Sequence, residues 1–353
     1  MASVLEKFIQ LCKSASLKEV QLFEHEHPEF DIRDQIDTTG ENGLISSAKG
    51  NNFEVLKHLL KQGSPWNAID RDGKCCGNYA MELTPYNQEM VDYITNHAVQ
   101  CELLLLALRQ PSNFHEQTNE KYLSENVRYT EKSLIDGEKD GVMMDWETPL
   151  MKVHANVLAS GLEKRFGENS DDIEAVRVLN VGYGMGIVDE CLKEEITSKL
   201  EELNRKNQIE QHIIEAHPEV LNRLKNTEHN FTVHGKRWQD SIPEIIESGV
   251  TYDCIFFDTY AEYDHDFYEF LEFLPKILKK SGSFSYFNGN CPDNIFFHGV
   301  ACQIAKLKLT KLGLDTDFLS VEIDVDDEKT WEEVKRRYWH RKEYFLPISS
   351  FVE

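Results

Sequence analysis

The second half of the chain alternates short apolar runs with amphipathic stretches. Residues 176–181, 211–215, 231–235, 252–258 and 283–288 carry the apolar, β-branched and aromatic composition of buried strands. Between them, 187–203, 218–226 and 268–279 show the three-to-four-residue spacing of helices. Strands that alternate with helices predict an α/β domain with a mostly parallel, Rossmann-like sheet covered on both faces. Two later runs, 318–323 and 344–352, predict a closing antiparallel hairpin at the sheet edge.

The first 110 residues read differently. Asp37-Thr38-Thr39-Gly40 and Asp70-Arg71-Asp72-Gly73 stand 33 residues apart, a period typical of ankyrin repeats. Between them, residues 48–63 read as a short helix, a glycine-containing turn, and an amphipathic helix stopped at Gly63. Leu17-Lys18-Glu19-Val20 and Glu89-Met90-Val91 fall at similar phases on either side. Residues 1–110 thus resemble two to three degenerate ankyrin-like repeats in an all-α domain. A plain helical cap stays open, because the usual Thr-Pro-Leu-His is absent. Residues 111–141 are polar and predict a connection with one short helix, which leaves 142–353 as the α/β domain.

A net charge of −24, from 62 acidic and 38 basic residues, argues against nucleic acid as the main ligand, since phosphate contacts need clustered Lys and Arg. It suits a basic partner, or solubility alone. The eight cysteines contain no Cys-x-x-Cys pair, so no metal site is expected and a reducing compartment is. No apolar run has the length of a signal or a membrane span. The expectation is a cytosolic protein, with the nucleus as a second location, monomeric and without a membrane partner.

Four segments carry candidate chemistry. Gly182-Tyr183-Gly184-Met185-Gly186 follows a strand and precedes a helix, where glycines let a ligand approach the backbone. The spacing is not that of a dinucleotide fingerprint. Glu215 ends the next strand, where a carboxylate grips a ribose diol, although a surface carboxylate is the alternative. Trp238 and Gln239 follow the third strand and suit an adenine ring, with core packing as the rival for Trp238. Asp258 closes the strand 252–258 at its ligand-binding end, and Asp253 begins that strand as a structural residue. Glu147 stands beside Trp146 and just ahead of Pro149, in a stretch suited to a pocket, with a helix N-cap or an edge ion pair as the alternative. His217 and His234 read as packing or cap residues more than as bases.

Trp146-Glu147-Thr148-Pro149-Leu150-Met151, Val181-Gly182-Tyr183-Gly184-Met185, Ile213-Ile214-Glu215, Trp238-Gln239 and Asp258-Thr259-Tyr260 together resemble guanidinoacetate N-methyltransferase. The tail from Arg337-Tyr338-Trp339 through Tyr344-Phe345-Leu346-Pro347 extends the likeness. With ankyrin-like repeats in front, the whole chain is more similar to the sister group of type IV protein arginine N5-methyltransferases.

That resemblance implies a class I methyltransferase fold, S-adenosyl-L-methionine as cofactor, and the internal guanidino nitrogen of a protein arginine as target. Ribosomal proteins become the expected substrate class. Met151, Gly182, Tyr183, Gly184, Met185, Gly186, Ile187, Glu215, Ala216, His217, Trp238, Gln239 and Asp258 would contact the cofactor, with Tyr129 from a looser upstream match. Glu147 and Asp258 would hold the guanidino group. Asp145 is a second candidate for that role, and Trp146 and Asn288 would line the substrate mouth. Two alternatives stay open: an enzyme acting on free guanidinoacetate, and a repeat-bearing adaptor with an inactive methyltransferase-like domain.

Overall fold

The computed structural model describes residues 3–108, 113–167, 172–227 and 230–352. The chain divides into two compact units. One comprises Met1–Arg109 with Cys291–Ile304, the other Gln110–Asn290 with Ala305–Glu353.

Among its described residues the first unit is helical, with Val4–Ser14, Leu17–Glu26, Gly43–Lys49, Phe53–Lys61, Cys76–Met81 and Gln88–Leu108. Ser3 and Ser16 start the first two helices as capping boxes with Glu6 and Glu19, which satisfy end N–H groups that helices leave unpaired. Apolar faces meet through fully buried Phe8, Val20, Ile45, Leu56, Leu59 and Met90. The two Asp-to-Gly turns stack on each other. Arg71 N donates to Thr39 O at 2.9 Å. A Cβ on Gly40 (φ +72°) would meet Asp70 Cα at 2.8 Å, so the close approach requires glycine there.

The second unit is built on a seven-stranded sheet: β1 (Val176–Val181), β2 (Ile209–Ile214), β3 (Thr232–His234), β4 (Tyr252–Phe257), β5 (Leu278–Tyr286), β6 (Leu314–Glu322) and β7 (Glu343–Phe351). Their spatial order is β3-β2-β1-β4-β5-β7-β6. The first five are parallel, and β7 pairs antiparallel with both β5 and β6. The sequence order reverses between β1 and β4, which opens a crevice at their carboxyl ends. Helices Thr148–Ser160 and Ile187–Glu202 bury Met151, Leu158, Leu192 and Ile196 with Val176, Val178 and Phe256 of the sheet. Among the described residues no helix is long and apolar enough to cross a membrane, and no cluster of His, Cys, Asp and Glu could hold a metal.

The structure departs from the sequence reading in several elements. The predicted helix 268–279 is two shorter ones, Asp264–Leu271 and Leu274–Ile277, and β5 begins already at Leu278. Pro275 sits in the first turn of the second piece, where a missing N–H is tolerated but cannot continue the helix before it. Helices Thr148–Ser160, Trp238–Ser248 and Ile295–Lys311 were not foreseen; Pro243 inside the second masks its helical period. Residues 111 and 112, which open the expected connection, lie outside the described residues. The rest of it holds the helix Asn113–Ser124 and a small antiparallel sheet in which Ser133–Ile135 lies between Arg128–Tyr129 and Gly141–Met144.

Candidate active site

A cavity of about 270 Å³ occupies the crevice at the carboxyl ends of β1, β2 and β4. Its wall includes Gly182, Gly184, Glu215, Ala216, Trp238, Asp258 and Glu147. Gly182 explains how the glycine turn comes against β4. At φ +96° its Cβ position lies 1.8 Å from Asp258 O, so any side chain would displace the one strand end from the other.

Glu215 ends β2 as expected, and its oxygens hold the local backbone. Oε2 accepts from Tyr183 N at 3.0 Å, and Oε1 accepts from Ala216 N at 2.8 Å and His217 N at 2.7 Å. Burial raises its carboxyl above the ordinary value, while these three N–H groups pull it back. Trp238 packs in the core and also lines the cavity. It is 2% exposed and packs edge-on against Phe270 at 5.5 Å between centroids, yet one side faces the cavity. Its Nε1 donates to both oxygens of Glu262, at 2.9 and 3.0 Å. Gln239 Nε2 donates to Glu262 as well (3.1 Å), which leaves Gln239 Oε1 buried without a hydrogen-bond partner. A group with an N–H donor would satisfy that oxygen.

Glu147 and Asp258 are two further acids in the cavity lining. Glu147 is 3% exposed at the turn Asp145–Glu147 that starts helix Thr148–Ser160. Its Oε1 accepts from Met144 N at 3.2 Å and from the Tyr338 hydroxyl. Burial, and then the charge of Asp258, push its carboxyl up to about 8. Asp258 keeps part of its surface open to the cavity, but the protein around it still desolvates the carboxyl and raises it to about 7. Among the described residues no Lys or Arg forms an ion pair with either acid. Two acids raised toward neutrality and lining one cavity are the kind of arrangement that marks a candidate site.

Other expected site residues lie elsewhere. Met151 is fully buried in the helix-to-sheet core and does not line the cavity. Tyr183, Met185 and Ile187 pack beneath the glycine turn with Leu134 and Ile213. Gly186 (φ +78°) caps the helix that follows. Tyr129 braces the turn from outside, its hydroxyl donating to Gly184 O at 2.9 Å. His217 is the cap of helix Pro218–Leu224, its Nδ1 accepting from Glu219 N at 3.2 Å. His234 meets His212 away from the cavity. Asp145 is exposed and accepts from the Thr148 hydroxyl at 3.3 Å, a helix-start contact rather than a cation grip. Trp146 stacks among Trp331, Tyr338 and Trp339 behind the wall. Asn288 is 2% exposed and ties strands together, Nδ2 donating to Phe345 O at 2.8 Å.

The cavity also includes residues not foreseen as site members: Tyr122, Asp140, Tyr260, Glu262, Arg336 and Tyr338. Tyr260 and Tyr338 stood inside the quoted motifs, so a signal existed for them. Tyr122 and Asp140 fall in the stretch expected to be a connection, which gave none.

A sheet of order β3-β2-β1-β4-β5-β7-β6, with a glycine turn after β1 and a carboxylate after β2 over the crevice, is the Rossmann-like class I methyltransferase architecture. The family model described as guanidinoacetate N-methyltransferase matches residues 132–297. Protein arginine N-methyltransferase 2 of Gibberella zeae is 34% identical over 365 residues, covering 85% of this chain and 77% of that protein. Its counterpart in Emericella nidulans is 33% identical over 375 residues, covering 90% and 81%. Among solved structures, Aeropyrum pernix fibrillarin with bound S-adenosyl-L-methionine overlays with a TM-score of 0.35 at 12% identity, over 65% of this chain and 83% of that one. The chain belongs to the protein arginine N-methyltransferase 2 family.

Proposed function

We propose that this protein methylates the internal (N5) guanidino nitrogen of arginine residues in a protein, with S-adenosyl-L-methionine as donor. The observation that carries the reading is the pair of desolvated acids, Glu147 and Asp258, in one wall of the crevice. The cavity suits the donor: Gly182 leaves the backbone bare and Glu215 stands at the ribose position, while Gln239 Oε1, next in sequence to the lining residue Trp238, is a buried acceptor without a partner. When bound, that donor supplies an electrophilic methyl group on a sulfonium.

A guanidinium is delocalised and permanently charged, so its nitrogens are poor nucleophiles. Glu147 and Asp258 accept hydrogen bonds from its terminal N–H groups in forked geometry. Drawing positive charge toward those nitrogens leaves lone-pair density on the internal one and fixes its direction. Positioning of this kind supplies a large share of a transfer barrier's reduction. Asp258, the more open of the two acids, takes the proton that the methylated nitrogen releases.

We read the first unit as ankyrin-like repeats that present a surface to the protein substrate. The support is its stacked turns and the helices Gly43–Lys49 and Cys76–Met81, whose starts lie 33 residues apart. A ribosomal protein remains the substrate class that the sequence resemblance implies.

Amino-acid analysis of an arginine-bearing polypeptide methylated by the purified enzyme tests the reading. Methyl on the internal nitrogen supports it. Label on terminal nitrogens overturns it, and label only in free guanidinoacetate establishes the small-molecule alternative.

A further inference from the structure

Glu147 has two oxygens with unequal surroundings. Oε1 accepts both the Met144 N–H and the Tyr338 O–H, whereas among the described residues Oε2 takes no hydrogen bond from the protein. Tyr338 has only one proton to give, and the direction of that proton is settled by its neighbour. Trp146 Nε1 lies 3.1 Å from the Tyr338 oxygen, and an indole N–H can only donate. The Tyr338 oxygen therefore accepts from Trp146 and its own proton points at Glu147.

The ring is also held mechanically. Trp331 meets it edge-on at 5.1 Å and Trp146 at 5.8 Å between centroids. Its segment is sewn to the small antiparallel sheet. Lys335 N donates to Lys139 O at 2.7 Å, and Glu333 accepts from the Thr130 and Ser133 hydroxyls, each at 2.8 Å.

We infer that Tyr338 is a positioning residue: by occupying Oε1 of Glu147 it turns Oε2 alone toward the arriving guanidinium and favours the ionised carboxylate that binds it. The inference rests on the proposed guanidino-binding role of Glu147. Any proton Glu147 carries in the empty site resides on Oε2, because Oε1 already faces two donors. As the guanidinium binds, that proton leaves to solvent through the cavity mouth, and the Tyr338 hydroxyl supports the anion left behind. The charged and titratable groups facing Glu147 are Asp258 at the end of β4 and Tyr338 itself. Tyr122, Asp140, Glu215, Lys236, Arg237, Tyr260, Glu262 and Arg336 line the same cavity.

The test is calorimetric binding of N-acetyl-arginine amide to the full chain loaded with S-adenosylhomocysteine, from about pH 6 to about pH 10. In the wild type, affinity rises with pH as the paired acids ionise. Tyr338→Phe removes the O–H and keeps the ring. It is expected to weaken binding at neutral pH about tenfold and to move the pH midpoint upward by about one unit, with S-adenosylhomocysteine affinity changed less than about twofold. Weaker binding with an unmoved midpoint would mean a packing role only and would overturn the inference. Should Tyr338→Phe fail to bind S-adenosylhomocysteine, Trp146→Phe decides: without the indole N–H the Tyr338 proton loses its enforced direction. The midpoint should then rise by a smaller amount, and an unmoved one overturns the inference. Glu147→Gln separates the two levels. It should abolish the upper part of the pH dependence, and its survival would sink the guanidino-binding reading itself rather than the role of Tyr338 alone.

Discussion

The two ends of β4 carry an aspartate each, and they are built to opposite purposes. Asp253, 2% exposed at the amino end, is paired with two cations: its Oδ2 accepts from Arg165 Nη1 and Lys279 Nζ, each at 3.0 Å, and from the Arg177 backbone N–H at 2.9 Å, while its Oδ1 has no hydrogen-bond partner among the described residues. Asp258, one residue past the carboxyl end, has no such partner among the described residues, and its carboxyl is raised to about 7. A buried charge that the protein has already compensated holds the fold together; one it has left uncompensated waits for a ligand. Identity of residue type and of strand says nothing about which of the two a carboxylate will be. Its surroundings decide.

The sharpest way to break the contrast is to neutralise the uncompensated pair. Asp258→Asn and Glu147→Gln should each lower turnover about a hundred- to a thousandfold while S-adenosylhomocysteine still binds by calorimetry. Near-normal turnover in both would remove the paired-carboxylate reading. Gly182→Ala acts on the same strand end through sterics. Its Cβ would press on Asp258 O from a φ of +96°, so S-adenosylhomocysteine affinity should fall at least about tenfold and the melting temperature with it. An unchanged affinity would show that the turn relaxes freely.

Asp253→Asn sharpens the other half. It leaves Arg165 and Lys279 without their shared carboxylate, and chemical denaturation should show a loss of about 3 kcal/mol. The protein that remains folded should keep its turnover per molecule, since none of these groups lines the cavity. A selective loss of turnover without loss of stability would contradict the division of labour along β4.

The same contrast explains what was legible from the chain alone. The apolar run and glycine turn at 176–186, and the carboxylates that follow β2 and β4, are local signals, and the structure brings Gly182, Glu215 and Asp258 to one cavity. The roles of Asp253 and Asp258 were separable because strand direction fixes which end meets the crevice. Met151 and Asp145 lie off the cavity because a motif reports neighbourhood in sequence, whereas helix phase decides where a side chain points; Asn288, just past β5, is instead drawn to the Phe345 carbonyl of β7. Thr148–Ser160 turns Met151 into the core and leaves Asp145 outside. Tyr338 reaches Glu147 across 191 residues of sequence, a pairing that only the folded β6-to-β7 connection creates.

The smallest expected effect concerns stability against pH, and it separates Glu147 from an ordinary surface acid. A carboxyl lifted to about 8 in the folded protein, against a usual unfolded value of about 4.3, binds more protons folded than unfolded across that interval. Folding therefore weakens as pH rises from about 4 through about 8, the reverse of a salt-bridged acid, and stays weakened above. Glu147→Gln removes the charge and with it the penalty. The ligand-free variant should match the wild type near about pH 4 and exceed it by one to a few kcal/mol at about pH 9, where desolvation is partly relieved by cavity water. Saturating guanidinium ligand should erase the difference, because the cation holds wild-type Glu147 ionised at a gain rather than a cost. A variant less stable than the wild type at high pH would mean that the protein, and not a ligand, compensates this carboxylate.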